Sequence, residues 1–212
     1  MAKLLLAGAS GLVGRAVLRQ ALSEPRVSAV VALTRRALPA HAKLLNPLVD
    51  FDALPQEAEW WSADAAICAL GTTIRDAGSR AAFRKVDHGY PLALARIAHD
   101  HGVRTYVLTS ASGADPASRI FYSRTKGELE QDLRRVGFDS LTLVRPGLLG
   151  GERERRRPLE YAGMKVLGAL GPLLPGRYRV VPAEEVAATL LQAALSGQRG
   201  IHVIESEAIG VR

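Results

Sequence analysis

The sequence is poor in three features, and each scarcity argues against a class of protein. The single cysteine, Cys68, excludes a disulfide within the chain, and a free cysteine is most often a small buried side chain. Aromatic residues make up only 5% of the 212 residues, which disfavours the stacking surfaces that bind single-stranded nucleic acid. No apolar run approaches the roughly 20 residues of a membrane span, and no secretory signal is evident. We therefore expect a cytoplasmic protein that binds neither membrane nor nucleic acid.

Charge is the next property to explain, because basic residues outnumber acidic ones by 28 to 21, a formal net charge of +7. The arginines are spread along the chain, apart from the pair Arg35-Arg36 and a cluster at 153–157. A small ligand that carries phosphates would account for part of this surplus. The histidines His88, His99 and His101 are not spaced one helical turn apart, so we expect no metal site.

Short apolar runs alternate with amphipathic stretches along the whole chain. Their periodicity predicts strands at 3–7, 27–33, 44–49, 65–70, 103–109, 141–144 and 201–204, and helices at 12–22, 90–101, 122–136 and 184–195. Apolar strands separated by helices form a parallel sheet that is covered on both faces. We therefore predict a doubly wound, Rossmann-like α/β fold, as one domain over 1–212. The Gly-, Pro- and Arg-rich segment 147–182 is predicted to be a small insertion, with a helix around 159–170, that covers the ligand.

Three glycines follow the first predicted strand and open the first predicted helix, where residues 8–14 read GASGLVG. Gly8 permits a sharp turn, Gly11 lets the backbone approach a pyrophosphate, and Gly14 lets the helix pack closely on the strand. The free amides at the start of the helix then face the anion, aided by the helix dipole. This loop predicts a dinucleotide site.

The end of the second predicted strand indicates which dinucleotide is bound. NAD-specific sites place an acidic residue about 20 residues beyond the loop, but residues 32–36 read ALTRR and the next carboxylate is Asp50. The planar guanidinium of Arg35 is suited to a 2′-phosphate. A solvated basic pair is the alternative interpretation. The pattern favours NADP(H) over NAD.

A possible catalytic set lies further along the chain. Tyr122 and Lys126 are four residues apart on a predicted helix, so both side chains project from one face. Ser110 and Ser112 follow the fifth predicted strand, at the edge where such sheets bind ligands. Carbonyl reduction needs a proton donor beside the carbonyl oxygen, and a lysine ammonium nearby favours the phenolate form of a tyrosine. We predict Ser110, Tyr122 and Lys126 as catalytic residues, with Ser112 competing for the serine role.

These motifs together resemble the short-chain dehydrogenase/reductase superfamily, in its extended and atypical members, over nearly the whole chain. Within it the sequence looks most like the Tat-interactive protein oxidoreductases, through residues 68–73, 113–115, 122–128 and 145–147. The resemblance implies NADPH as cofactor. The contacts it implies are Gly8, Ser10, Gly11 and Leu12 at the pyrophosphate with Gly14 behind them, Arg35 at the 2′-phosphate, Asp50 and Phe51 at the adenine, Leu70 and Gly71 near the nicotinamide ribose, and Arg145, Pro146 and Gly147 in a turn beneath the nicotinamide.

Two functions fit these motifs. The first is an NADPH-dependent oxidoreductase that transfers hydride to a small carbonyl compound, with Tyr122 as general acid, Lys126 tuning it and Ser110 anchoring the substrate. The second is an NADP(H)-binding regulatory protein that senses redox state with little turnover and acts through a protein partner. A homo-oligomer is compatible with both. Tyr122 and Lys126 favour the enzyme, since a sensor does not need them.

Overall fold

The computed structural model describes residues 1–150 and 180–210. Along these residues the elements are β1 (Ala2–Ala7), α1 (Leu12–Ser23), β2 (Val27–Leu33), β3 (Leu44–Leu45), β4 (Ala65–Cys68), α2 (Ile74–Ala77), α3 (Arg80–Arg84), α4 (Tyr90–Asp100), β5 (Thr105–Thr109), α5 (Phe121–Val136), β6 (Ser140–Arg145), β7 (Leu148–Gly150), β8 (Val180–Pro182), α6 (Ala183–Ser196) and β9 (Gly200–Glu205). A π-helical turn, Lys85–Gly89, joins α3 to α4, and 3-10 turns lie at Glu59–Trp61 and Ser206–Ala208.

The main sheet has the strand order β3-β2-β1-β4-β5-β6-β9, and every neighbouring pair is parallel. The chain runs outward from β1 to β3 and then continues on the other side of β1 with β4, so the strand order reverses between β1 and β4. Ligands of such sheets bind outside the carboxyl ends of the strands at that reversal. The predicted doubly wound, Rossmann-like fold is confirmed.

Two apolar layers hold the helices against the two faces of the sheet. On one face α1 and α6 contribute buried residues such as Val17 and Leu190. On the other, α4 and α5 contribute residues such as Leu94 and Leu133. Full burial of each such side chain contributes about 1.5–3 kcal/mol, so both faces anchor the helices firmly. This packing holds the carboxyl ends of the strands, and the loops that follow them, along one edge.

Several predicted boundaries differ from the structure. The third strand, predicted over 44–49, is only Leu44–Leu45, with an isolated bridge from Thr34 to Leu48. It ends before Pro47, which has no N–H to donate to β2, and the Asn46 side chain donates to the Ala32 carbonyl instead, 2.6 Å away. The fourth strand ends at Cys68 instead of residue 70, and the fifth begins at Thr105 instead of residue 103. The short helices at 74–84 were missed because they carry few buried residues to mark a helical period.

The predicted insertion 147–182 is described only at its two ends. There β7 and β8 pair in parallel, with Leu148 opposite Val180, so the ends of the segment lie side by side. The predicted helix around 159–170 falls outside the described residues. The single domain and the ligand-covering role therefore stay predictions. No helix within 1–150 or 180–210 is long and apolar enough to cross a membrane.

Candidate functional site

The glycine loop lies between β1 and α1, and its three glycines have three different reasons to be there. Gly8 has a φ of 89°, and a Cβ there would lie 2.5 Å from the carbonyl carbon of Ala69. A Cβ on Gly14 would lie 2.0 Å from the Gly8 carbonyl oxygen, so α1 could not pack this closely on the turn. Gly11 is exposed, and its Cβ would meet only the Gly8 oxygen, at 3.3 Å. Protein packing therefore requires Gly8 and Gly14, whereas Gly11 faces outward and permits close approach of a ligand.

The start of α1 is suited to an anion. Gly11 is the N-cap residue, no side-chain cap is present, and the first turn contains no acidic residue. The first amides of a helix have no intrahelical acceptor, and the positive end of the helix dipole adds to their attraction for an anion. The exposed Ser10 and half-buried Leu12 flank this end. The Gly11 amide itself donates to the Gly8 carbonyl at 2.9 Å, so the donors left for an anion are the amides of the first turn of α1 that follow it.

The turn after β2 presents Arg35 and Arg36 to solvent. Asn46 holds this turn, because its Nδ2 also donates to the Thr34 hydroxyl at 2.8 Å and its Oδ1 accepts from the Leu38 amide at 2.8 Å. The Thr34 hydroxyl in turn donates to the Arg36 carbonyl at 2.7 Å. Neither guanidinium has a carboxylate partner in the described part of the chain. Both arginines are thus available to an anion on a turn whose shape is set by Asn46, which sequence reasoning missed.

The segment predicted to flank the adenine divides between surface and core. Asp50 is exposed, whereas Phe51 is buried in the apolar layer, with its ring centroid 5.6 Å from that of Tyr90. The Tyr90 hydroxyl donates to Asp52 at 2.8 Å. Asp50 is therefore the member of the predicted pair that a ligand can reach directly.

Beneath the loop after β4 lies a buried ion pair. Lys126 Nζ is 2.8 Å from Asp87 Oδ1, and both side chains are almost fully buried. The other oxygen of Asp87 accepts the Thr72 amide at 2.8 Å. A Cβ on the exposed Gly71 would lie 3.4 Å from Asp87 Oδ1 and 4.0 Å from Lys126 Nζ, so the pair sits directly under Gly71. The half-buried Leu70 precedes it.

The charge of Lys126 depends on this neighbour. Burial by itself lowers the pKa of Lys126, but the Asp87 carboxylate, followed by Tyr122, more than offsets burial, so the pKa is raised. A raised lysine pKa means that the ammonium form persists at neutral pH. Tyr122 and Lys126 lie one helical turn apart on α5, so the phenol and the ammonium project from the same face of the helix.

Close packing fixes the first turns of α5, which carry these two side chains. A Cβ on Gly127 would lie 2.2 Å from the Asp115 carbonyl carbon, so the helix rests directly on the preceding turn. The Asp115 amide donates to the Ser123 carbonyl at 3.1 Å. The half-buried Tyr122 ring packs on Phe83, with centroids 5.5 Å apart. Tyr122 is therefore held by both its backbone and its ring.

The two candidate serines have different surroundings. Ser110 is buried, and its hydroxyl donates to Glu130 Oε1 at 2.5 Å. Ser112 is only half-buried, and its amide donates to the Pro146 carbonyl at 2.9 Å. Its hydroxyl has no hydrogen-bond partner among the residues that the structure describes. The Ser110 hydroxyl is thus engaged by the protein, whereas that of Ser112 is available.

Glu130 also binds Arg145, through 3.0 Å and 2.6 Å bonds from Nε and Nη2. The third guanidinium nitrogen reaches Glu205 at 2.8 Å. The Glu130 carboxylate raises the pKa of Arg145. Arg145 therefore stabilises the end of β6 through contacts with protein carboxylates. Pro146 and Gly147 form the turn that follows, and the Gly147 amide donates to the Ser206 hydroxyl at 3.1 Å.

Asp87 and Glu130 were not found by sequence reasoning. Glu130 could have been found from its position, because it lies one helical turn after Lys126, on the same face of α5 as the buried Leu129 and Leu133. No sequence pattern marked Asp87, since the π-helical turn around it breaks the 3.6-residue helical period.

Comparison with known proteins shows the family of the chain. The sequence pattern of a family described as NAD(P)H-binding matches residues 8–196. The chain belongs to this family. It is 36% identical over 184 residues to the mitochondrial protein fmp52 of Aspergillus clavatus, covering 83% of this chain and 79% of that protein. It is 33% identical over 207 residues to the protein HTATIP2 of Rattus norvegicus, covering 95% and 85%. The resemblance to the Tat-interactive protein oxidoreductases is confirmed.

Solved structures share the fold at low identity. MoeE5 in complex with UDP-glucuronic acid and NAD aligns with a TM-score of 0.74 at 18% identity, over 95% of this chain and 75% of that one. A putative NAD-dependent epimerase/dehydratase from Bacillus halodurans aligns with a TM-score of 0.71 at 18% identity, over 98% and 97%. These structures show the fold, and the family match shows that the chain belongs to an NAD(P)H-binding family.

The expected cytoplasmic location is wrong by the same comparison. The relatives from Aspergillus clavatus and Candida albicans are both named mitochondrial proteins. The expectation rested on the lack of a recognisable leading segment, and that lack does not determine a compartment.

Proposed function

We propose that the protein is an NADPH-dependent oxidoreductase that transfers hydride to a small carbonyl compound, with Tyr122 as general acid. The observation that carries this proposal is the placement of Tyr122 on α5 one helical turn from Lys126, whose ammonium lies directly under Gly71. This position is on the same edge of the sheet as the glycine loop, so a dinucleotide extended along that edge would bring its nicotinamide toward the phenol.

The residues present fit NADP(H), which when bound supplies the hydride. The amides at the start of α1 would bind the diphosphate, with Gly11 allowing close approach. Arg35 would bind the 2′-phosphate, because it is exposed and its planar fork matches phosphate oxygens. The absence of a carboxylate at the end of β2 favours NADP(H) over NAD.

Tyr122 would donate its phenolic proton to the carbonyl oxygen, and Lys126 would stabilise the phenolate left behind. A lysine ammonium has three N–H donors, and within the described residues Asp87 takes one of them. The remaining donors would bind the phenol or a ribose hydroxyl.

For the serine we propose Ser112 instead of the expected Ser110. The Ser110 hydroxyl already donates to Glu130, so it would have to give up a charge-assisted hydrogen bond in order to bind substrate. The Ser112 hydroxyl bears no such cost and would hold the substrate oxygen beside Tyr122. Ser110 would then support the site from beneath.

The test is NADPH oxidation by the purified protein over a panel of small aldehydes and ketones. Tyr122→Phe is expected to lower kcat by about 100-fold or more, the range for loss of a general acid, with a smaller effect on KM. Tyr90→Phe is the matched control, because its hydroxyl bonds Asp52 at the surface, and it should keep full activity. Ser112→Ala should lower kcat more than Ser110→Ala does.

Two results would contradict this proposal. If Tyr122→Phe retains wild-type turnover, the tyrosine is not the acid. If the wild-type protein binds NADPH but oxidises it with no carbonyl of the panel, an NADP(H)-binding regulatory protein that acts through a partner becomes the better explanation.

A further inference from the structure

The π-helical turn between α3 and α4 carries a buried carboxylate that has no role in the mechanism proposed above. Asp87 lies at the centre of this turn, Lys85–Gly89, and is 1% exposed. Single π-turns within helices are rare and occur frequently at functional sites. Because the turn interrupts a helix that otherwise continues into α4, it directs residue 87 toward α5 and the loop after β4.

Stability is a weak explanation for the pair that Asp87 forms with Lys126. Both groups lose their hydration when buried, and replacing such a pair with apolar residues is often neutral or stabilising. The pair also lies close to the proposed active site, since it is immediately under Gly71 and Asp87 accepts a hydrogen bond from the Thr72 amide of the same loop. One carboxylate therefore joins the loop after β4 to the helix that carries Tyr122.

We infer that Asp87 is a positioning residue, which holds the Lys126 ammonium in place beneath Gly71 and keeps it charged during turnover. This inference rests on the proposed oxidoreductase function, and it adds a residue that acts on the reaction only through Lys126. In this role Asp87 keeps the ammonium next to Tyr122, and its second oxygen keeps the loop at a set distance from α5.

The groups that face Lys126 come from three elements. They are Asp87 on the π-turn, Tyr122 on α5 itself and Cys68 at the end of β4. Burial raises the pKa of Cys68, so its thiol stays neutral near pH 7. The carboxylate of Asp87 is therefore the anion that balances Lys126 at neutral pH, and Asp87→Asn removes that anion with almost no change in shape.

The activity test compares the wild-type protein with Asp87→Asn across pH 6 to 10. Without the carboxylate, burial is opposed less strongly and lowers the pKa of Lys126, so the kcat profile should lose activity at a lower pH than the wild type does. On the alkaline limb of the profile, a shift of one pKa unit changes the charged fraction of Lys126 about tenfold. We therefore expect the kcat of Asp87→Asn to be at least about tenfold below that of the wild type on this limb, with a smaller change in KM for NADPH. Asp132→Asn is the matched control, because Asp132 pairs with His88 and Arg135 on the outer side of α5. Its profile should match the wild type.

A second readout does not need turnover, because Lys126 also links stability to pH. In the wild type its folded pKa is raised, so its stabilisation is present below the ordinary lysine value of about 10.4 and falls as pH rises beyond it. In Asp87→Asn the folded pKa is lowered, so the unfolded chain binds more protons and stability rises with pH. The urea midpoint of the variant, relative to the wild type, should therefore increase between pH 7.5 and pH 9.5. In Asp87→Asn with Lys126→Met this increase should vanish.

The outcomes separate the two proposals. If both the pH profile and the relative urea midpoint of Asp87→Asn are unmoved by pH, Asp87 does not hold the charge of Lys126 and the inference is overturned. If the wild-type protein has no turnover, the oxidoreductase proposal fails, and the midpoints alone decide the role of Asp87. Should Asp87→Asn not fold, recovery of folding by the double substitution supports the inference, and failure of both variants to fold contradicts it.

Discussion

The glycine loop after β1 and the charged layer beneath the ends of β4, β5 and β6 serve the same edge of the sheet but are built in different ways. The loop depends on side chains that are absent, within seven consecutive residues. The layer depends on charged side chains, of which Asp87, Lys126 and Glu130 are buried and Arg145 is half-buried. Their contacts join residues 15 to 60 positions apart. The first is local and steric, and the second is long-range and electrostatic.

This difference predicts how each region responds to substitution. A methyl group added at Gly8 or Gly14 must displace backbone atoms of the loop. A charge removed from the layer takes an opposite charge away from a buried or half-buried partner. The expected effects differ in size and in what they disturb, so three substitutions test the comparison.

The largest effect is expected for Glu130→Ala, which removes the carboxylate that binds both Ser110 and Arg145. Breaking a buried ion pair costs about 3–5 kcal/mol, and since the Arg145 side chain keeps 21% exposure we expect about 3 kcal/mol. Urea denaturation followed by circular dichroism measures this loss. Glu128→Ala on the same helix is the control, because its pair with Arg84 is at the surface and should contribute under about 1 kcal/mol. Equal losses for the two variants would remove the distinction between layer and surface.

A smaller loss of stability, but a direct loss of binding, is expected for Gly14→Ala. The new Cβ would lie 2.0 Å from the Gly8 carbonyl oxygen, so α1 must move away from the turn, at a cost of about 2 kcal/mol. NADPH affinity, measured by fluorescence titration, should fall at least about tenfold, because the helix amides move with α1. Gly89→Ala is the control, since a Cβ there meets nothing within 4 Å. Unchanged affinity in Gly14→Ala would show that the loop does not position the nucleotide.

The smallest effect is expected for Arg35→Ala, which leaves the fold intact and removes one charge from the surface. Loss of one charge-assisted contact to the 2′-phosphate is worth about 1.5 kcal/mol, so NADPH affinity should fall about tenfold while NADH affinity stays the same. Arg104→Ala removes the same charge beside Asp139, at the opposite end of the strands, and should alter neither. An equal loss of both nucleotides would contradict the assignment of Arg35 to the phosphate.

The fold and the cofactor loop could be predicted from residue patterns because their causes lie within short stretches of chain. Apolar strands separated by helices indicate a covered parallel sheet, and the positions of Gly8, Gly11 and Gly14 indicate a turn that meets an anion. The shared face of Tyr122 and Lys126 could be predicted because the two residues are one helical turn apart in the sequence. Compartment did not follow, because the absence of a signal in the pattern says little about location.

The serine assignment shows where pattern reasoning stopped. Ser110 and Ser112 are equivalent in a sequence, since both follow an apolar strand, and only the position of Glu130 distinguishes the two hydroxyls. Asn46 is a similar case, because a loop asparagine between two leucine-rich segments gives no sign that it holds the turn of Arg35.

What the chain alone determined is the sheet, the glycine turn and the face that Tyr122 and Lys126 share, since each follows from periodicity or sterics among neighbouring residues. What the tertiary structure alone decided is which charges are paired, because Asp87 meets Lys126 only after two helices pack on one face of the sheet. Burial then makes each charge depend on its partner, and that dependence is a property of distance in space, which sequence separation does not record.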